Sequence, residues 1–290
     1  MTAPLRLRAR VEAPATDVWR AITDAEALRV WLAEHAEVDL PRAFSFWGRY
    51  TPEGDVPRQR PLHTDSGTLR FAWSIGGAET TVEISVTDEG PGCAHVVLTQ
   101  THVPDWRDVV REKGARSVLA TFWSLSIANL VDYVEGRPLT PRCDFTSPRL
   151  ADCVVVAGPP EEVFDSLVDP DKIRNWLGAV VDVDLREGGH WHMDGADTGP
   201  SAAKVLSLEP GRRVELDWGS FASTWELEGS GGRTRLTFVH SRFNDGGTPY
   251  AGWLGWLSGM AELRRFHERR PSIWLESTIP GAPGGAPQPN

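Results

Sequence analysis

The sequence predicts an α+β fold of two tandem domains, each a curved antiparallel sheet wrapped around a long C-terminal helix with two short helices after the first strand. Three observations predict it. The chain has 290 residues, 40% of them hydrophobic and 24% charged, which suits two domains. It repeats itself at a constant shift, so that Leu5–Arg49 aligns with Leu150–Asp194 without a gap. Both repeats carry the same order of strand and helix signals.

The repeat is specific enough to set domain boundaries. Trp31 aligns with Trp176, Trp73 aligns with Trp218, and the triplet Val-Asp-Leu occurs at the same place in both copies. We predict a first domain at 1–136, a linker at 137–149 that is rich in proline, a second domain at 150–276 and a disordered tail at 277–290.

Each predicted domain opens with a strand of alternating apolar residues, from Leu5 in the first copy and around Cys153 in the second. A proline then marks the start of a short amphipathic helix. Asp24 and Asp169 are predicted to cap a second short helix, which ends at the aligned tryptophan and the leucine after it.

The rest of each copy is strands followed by one long helix. The predicted strands of the first copy read AEVDL, FSFWGRY, TLRFAWSI, TTVEISV and AHVVLTQTHV, and those of the second read VVDVDL, GHWHM, AKVLSL, RVELDW, STWELE and TRLTFVH. The closing helices are predicted from about Asp105 to Glu135 and from about Thr248 to Arg269. Between sheet and helix such a domain can enclose an apolar cavity.

Composition and the lack of known motifs disfavour several classes of function. The net charge of −10 disfavours nucleic acid as a partner, because binding to phosphates needs a basic face. No uninterrupted apolar run reaches the length of a membrane span, and the N-terminus lacks the apolar block of a signal peptide. The three cysteines match no zinc or disulfide spacing, so we expect a cytoplasmic protein. Phosphate-loop, dinucleotide, serine-hydrolase and HExxH motifs are absent from the sequence.

Three segments of the second copy carry a resemblance to a known family: PPEEVFDSLVDPDKIRNWL, VDVDLREGGHWHM and RTRLTFVHSRF. The first copy repeats them less closely. The chain resembles a tandem protein of the helix-grip (START and birch-pollen-allergen-like, SRPBCC) superfamily, in the branch of the activator of heat-shock-protein-90 ATPase homologues. The resemblance implies the helix-grip fold, a hydrophobic small-molecule ligand and a chaperone or other protein partner. It also implies, as an alternative activity, polyketide cyclase or aromatase chemistry.

Three polar residues near the ends of the last strands are candidates for chemistry. His102 and His240 align with each other and are predicted to face the closing helix, where an imidazole serves as an acid, a base or a ligand donor, or is a structural histidine. Gln100 is the one amide in an inward-facing row and aligns with Phe238. If the protein is an enzyme, His102, Gln100 and His240 are the predicted catalytic residues; we otherwise assign none.

His190, His192 and Asp194 alternate along one predicted strand, a spacing that places three metal-ligating groups on one face. If Trp191 and Met193 point inward, both histidines point to solvent. We therefore expect a solvated outer face with no metal, and no other cofactor.

The predicted ligand-binding residues are aromatic or polar side chains expected at the interior of the two copies. They are Trp31, Phe46, Phe71, Trp73, Gln100, His102, Trp123, Trp176, Trp191, Trp218, Trp225, Phe238, His240, Trp256 and Met260. The favoured function is intracellular binding of a hydrophobic small molecule, in carriage, sequestration or stress response. The alternatives are the cyclase-like enzyme and a chain in which one copy is filled and purely structural.

Overall fold

The computed structural model describes residues 3–193, 202–243 and 247–282, which form two compact units. Unit 1 contains residues 3–146, 250–258 and 273–282. Unit 2 contains the described residues of 147–249 together with 259–272. The α+β class and the tandem repeat predicted from the sequence are confirmed.

Unit 1 is built on a six-stranded antiparallel sheet of order β15-β1-β7-β6-β5-β4, with β2 and β3 paired separately. Its strands are β1 (Leu5–Val11), β2 (His35–Asp39), β3 (Ala43–Trp47), β4 (Gln59–Thr64), β5 (Thr68–Ile75), β6 (Ala78–Gly90), β7 (Cys93–Gln100) and β15 (Trp274–Thr278). Its helices are α1 (Ala15–Thr23), α2 (Ala25–Trp31), α3 (Trp106–Val109) and α4 (Leu119–Val134).

Unit 2 has a seven-stranded antiparallel sheet of order β8-β14-β13-β12-β11-β10-β9. Its strands are β8 (Leu150–Ala157), β9 (Val181–Val183), β10 (His190–Met193), β11 (Ala202–Glu209), β12 (Arg213–Asp217), β13 (Ala222–Ser230) and β14 (Arg233–Ser241). Its short helices are α5 (Pro160–Val168) and α6 (Pro170–Leu177). The last helix, α7 (Tyr250–His267), contributes its residues from Gly259 onward to this unit.

The closing helix of unit 1 starts later than predicted. The segment expected to be helical from Asp105 contains α3 and a 3-10 turn, Ala115–Val118, before α4 begins. Glu112 and Gly114 separate them with positive φ angles of 53° and 79°, which a regular helix does not accommodate.

Two strands of unit 1 were not predicted. β4 lies in the segment TPEGDVPRQRPLHTDSG (51–67), which the first copy has and the second copy lacks, and it pairs with β5. β15 pairs with β1 and includes Ser277 and Thr278, which the sequence analysis placed in the disordered tail. Residues 279–282 of that predicted tail are also described, and the Pro280 carbonyl accepts a hydrogen bond from the Trp106 N–H at 2.6 Å. The tail from residue 283 onward lies outside the described residues.

Unit 1 contains a long apolar helical segment in its buried core. Residues Ala115–Val134 are long and apolar enough to cross a membrane, with a mean hydropathy of 1.3. However, 83% of that window is buried inside the protein, as expected for a helix at the centre of a sheet-wrapped domain.

The predicted N-caps are confirmed in both copies. The Asp24 carboxylate accepts hydrogen bonds from the backbone N–H groups of Glu26 and Ala27, and the Asp169 carboxylate accepts from Asp171 and Lys172. These bonds satisfy N–H groups that have no partner within the helix.

Substitution of the second cap tests its contribution to stability. Asp169→Ala is expected to lower the free energy of unfolding by about 1 kcal/mol, as loss of an N-cap does elsewhere. Asp165→Ala is the matched control. Within the described residues its carboxylate makes a surface ion pair with Lys172 at 3.3 Å, and loss of this pair is expected to cost less than about 0.5 kcal/mol. Urea denaturation measures both; equal losses would contradict the capping role.

Candidate functional site

Gln100 and His240 occupy the same place in the two units. Leu5 on β1 lies opposite Gln100 on β7, and its repeat partner Leu150 on β8 lies opposite His240 on β14. The sequence analysis aligned His102 with His240. Strand pairing instead aligns Gln100, two residues earlier, with His240. The interior therefore holds one polar side chain at this position in each unit, an amide in unit 1 and an imidazole in unit 2.

His102 does not face the closing helix. It is exposed, has a φ of 57°, and lies in a turn two residues after the end of β7. Its backbone carbonyl accepts a hydrogen bond from Arg116 Nη1 at 2.7 Å. The inward orientation predicted for His102 is wrong because the strand ends at Gln100, and side-chain alternation does not continue through a turn.

Gln100 is fully buried and is bonded at both ends of its amide. Its Nε2 donates to Thr80 Oγ1 at 2.9 Å, and its Oε1 accepts from Trp123 Nε1 at 2.7 Å. The Thr80 hydroxyl in turn donates to the Trp73 carbonyl at 3.0 Å. These bonds join β5, β6, β7 and α4, so the amide that the sequence predicted to face a ligand holds sheet and helix together.

Aromatic rings fill the interior of unit 1 around this amide. The centroid of Trp73 lies 5.3 Å from Phe46, 5.7 Å from Phe122 and 5.9 Å from Trp123, all in edge-to-face arrangements. A small pocket beside α4, between Trp31, Tyr50 and Arg142, has an interior volume of about 10 Å³. That volume is room for about one water molecule.

His240 lies among aromatic rings in unit 2. It is 3% exposed, and its ring centroid lies 4.5 Å from Phe221 and 4.9 Å from Phe238. Burial lowers the pKa of His240 to about 3, because the charged imidazolium is poorly solvated there. The imidazole is therefore neutral at physiological pH.

Three buried tryptophans extend this group of rings along the sheet. Trp191 lies 5.6 Å from Trp218 and 6.3 Å from Trp225, measured between ring centroids. The Trp218 indole N–H donates to Ser223 Oγ at 2.9 Å. We call the set of Trp191, Trp218, Phe221, Trp225, Phe238 and His240 the His240 cluster. Phe221 lies between two predicted strands, outside their alternating apolar pattern, and the sequence analysis missed it.

Trp31 and Trp176 have a structural role that is the same in both units. The Trp31 indole donates to the Ala21 carbonyl at 3.0 Å, and the Trp176 indole donates to the Ser166 carbonyl at 2.7 Å. Each bond ties the second short helix to the first. The remaining predicted ligand-binding residues, Phe71, Trp256 and Met260, are buried.

The outer face of β10 carries the two histidines considered for a metal site. Trp191 is buried between them, so strand alternation directs His190 and His192 away from the core. The His190 and His192 rings stack at 4.2 Å, and His190 Nε2 lies 2.8 Å from Asp182 Oδ2. Asp194, the third residue of the sequence motif, lies outside the described residues.

A family model describes both repeats. The model of "Activator of Hsp90 ATPase homolog 1-like protein" matches residues 12–135 and 157–266, which is most of the chain. The chain belongs to this family. The resemblance read from the sequence motifs is thereby confirmed, as is the tandem arrangement.

Comparison with solved structures gives matches of low sequence identity. CalU16 from Micromonospora echinospora is 24% identical, with coverage of 42% of this chain and 75% of that one, and a TM-score of 0.36. DynU16, "a putative protein in the dynemicin biosynthetic locus", is 17% identical over 91% and 98% of the two chains, with a TM-score of 0.37. The "di-domain ARO/CYC BexL from the BE-7585A biosynthetic pathway" is 15% identical over 93% and 100%, with a TM-score of 0.35. A search of curated proteins finds no match.

The two units differ at the interior position that they share. In unit 1 an amide is closed off by protein hydrogen bonds and surrounded by packed rings. In unit 2 a neutral imidazole lies against two aromatic rings. A neutral imidazole offers one donor and one acceptor nitrogen.

Proposed function

We propose that this protein binds a hydrophobic small molecule at the His240 cluster of unit 2, and that it carries or sequesters this molecule in the cytoplasm. Unit 1 is the filled copy and supports the fold. A role in stress response and a chaperone partner are further proposals that rest on the family description alone.

The observation that carries this proposal is the exchange of Gln100 for His240 at equivalent positions. Both ends of the Gln100 amide are hydrogen-bonded, to Trp123 and to Thr80, so ligand binding to this amide in unit 1 would break internal hydrogen bonds. In unit 2 the His240 imidazole is flanked by the rings of Phe221 and Phe238 within an aromatic cluster. Small-molecule sites have this composition, an apolar and aromatic lining with few polar groups that fix orientation.

The same geometry favours binding over the cyclase alternative. A general acid or base works best when its pKa lies near the operating pH, and the pKa of His240 is about 3. Gln100 does not titrate, and His102 is exposed at a turn. These three positions therefore support binding more than they support proton transfer.

Binding of the fluorescent probe 1-anilinonaphthalene-8-sulfonate tests the proposal in the full chain. His240→Phe is expected to weaken probe binding about tenfold, equivalent to about 1.4 kcal/mol, because it removes the polar group and enlarges the ring. His102→Phe is the matched control, and we expect it to leave the dissociation constant unchanged.

A second variant separates loss of the site from loss of the fold. His240→Gln gives unit 2 the side chain of unit 1, and circular dichroism establishes whether both His240 variants remain folded. If the folded His240 variants bind the probe as tightly as the unmodified chain does, the His240 cluster is not the binding site.

A further inference from the structure

We propose that Asp182, His190 and His192 form a binding site for a transition-metal dication of the Zn²⁺ class on the outer face of β9 and β10. Their ligand atoms, one from each residue, all lie within 4.8 Å of one another. The site is separate from the His240 cluster, and the inference does not depend on the proposed function.

Strand pairing brings these three residues together. His190 and His192 are two residues apart on β10, so they project from the same face. In the antiparallel pairing of β9 with β10, Asp182 lies directly opposite His192. Residues opposite each other across two strands share a face, so the Asp182 carboxylate lies on the same face as both imidazoles. The sequence motif suggested Asp194 as the third ligand, and the register supplies Asp182 instead.

The backbone around the site is held in place from the inner side. Trp191, between the two histidines, is 1% exposed and anchors β10 in the core. The turn before His190 is tight, because a Cβ on Gly189 would lie 2.1 Å from the Asp184 carbonyl oxygen. The Asp184 N–H also donates to the His190 carbonyl at 2.9 Å. The strand positions of the ligands are therefore fixed by the backbone.

The ligand set selects the class of ion. Two imidazoles with one carboxylate suit zinc and its neighbours in the first transition row, whereas calcium and magnesium prefer oxygen ligands. Three protein ligands with a solvent-filled fourth position give tetrahedral zinc. The side chains of His190 and Asp182 are 35% and 70% exposed, so small rotations bring them from their present contact to metal-bond distance and leave the fourth position open to water.

The same register places a positive charge beside the site. Lys204 on β11 lies opposite His190 and is exposed, so its ammonium reduces the affinity for a cation. A bound ion would link β9, which has only three residues, to β10 directly behind Trp191. Metal occupancy would then stabilise one edge of the His240 cluster.

Isothermal titration of Zn²⁺ into the full chain, stripped with a chelator and free of affinity-tag histidines, tests this site. We expect one Zn²⁺ per chain. His190→Ala, His192→Ala and Asp182→Asn are each expected to weaken the dissociation constant at least about tenfold, since even residues that only support a ligand contribute that much. Lys204→Ala is expected to tighten it.

His63→Ala is the matched control. His63 Nε2 lies 3.2 Å from Asp65 Oδ2, which is a histidine–carboxylate pair without a second histidine in the described residues around it. This control and Asp194→Asn are expected to retain Zn²⁺ binding, and circular dichroism verifies that all variants are folded. Absence of saturable binding, an equal loss in His63→Ala, or loss in Asp194→Asn without loss in Asp182→Asn would overturn the assignment.

Discussion

Replacing Trp123 with alanine is expected to lower the free energy of unfolding by about 3–5 kcal/mol, the range for loss of a large buried aromatic side chain. Trp123 is fully buried and packs against Phe46, Trp73 and Phe122. Its loss leaves a cavity and also removes the indole N–H that bonds the buried Gln100 oxygen. Urea denaturation followed by circular dichroism measures the change.

Two further variants divide this effect into its parts. Trp123→Phe keeps an aromatic ring but loses the indole N–H, and we expect a loss of about 1–3 kcal/mol from the unsatisfied Gln100 oxygen and the smaller ring. Trp19→Ala is the control at a half-buried tryptophan and should cost less than Trp123→Ala does. If Trp123→Ala is no more destabilising than Trp19→Ala, the interior of unit 1 is not packed as described.

Acidification is expected to destabilise unit 2 through His240. Its pKa is lowered from 6.5 to about 3 by burial, so the unfolded chain binds a proton at this residue over a pH range in which the folded chain does not. The contribution of His240 to the free energy of unfolding is therefore fully present above about pH 6.5 and decreases as the pH falls towards 3. One additional proton bound by the unfolded chain lowers the free energy of unfolding by at most about 1.4 kcal/mol per pH unit over this range.

Two buried carboxyl groups change the stability with pH in the opposite direction. Burial raises the pKa of Glu112 to about 7 and that of Asp152 to about 6, so their contributions are lost as the pH rises through those values. For this reason the measurement is the difference between the unmodified chain and His240→Phe at each pH. These carboxyl contributions cancel in that difference.

The expected outcome is a difference that changes steadily between pH 6.5 and 4, with His240→Phe losing less stability on acidification. Urea denaturation at intervals of half a pH unit provides the curve. Parallel curves for the two proteins would mean that His240 titrates normally and is not buried in the folded state.

Local signals in the sequence predicted much of the fold. The caps at Asp24 and Asp169 depend on residues within one helical turn, and the repeat aligned Trp31 with Trp176, which have the same bond in both units. The predicted start of the closing helix in unit 1 was wrong because Gly114 interrupts an otherwise helical pattern.

The candidate sites were less predictable because they depend on contacts between distant segments. The equivalence of Gln100 with His240 follows from strand pairing with Leu5 and Leu150, whereas matching the sequence by its histidines selected His102. Asp182 joins the two histidines of β10 through the pairing register, which one strand alone does not reveal.

Native mass spectrometry of the freshly purified full chain, with denaturing extraction of any bound compound, tests the central claim most directly. The claim is that unit 2 binds a hydrophobic molecule and unit 1 is filled. We expect one bound small molecule per chain, which is retained in His102→Phe and lost in His240→Phe. Two molecules per chain, or one that His240→Phe retains, would contradict this division between the units, and a chain without any bound molecule would contradict tight carriage.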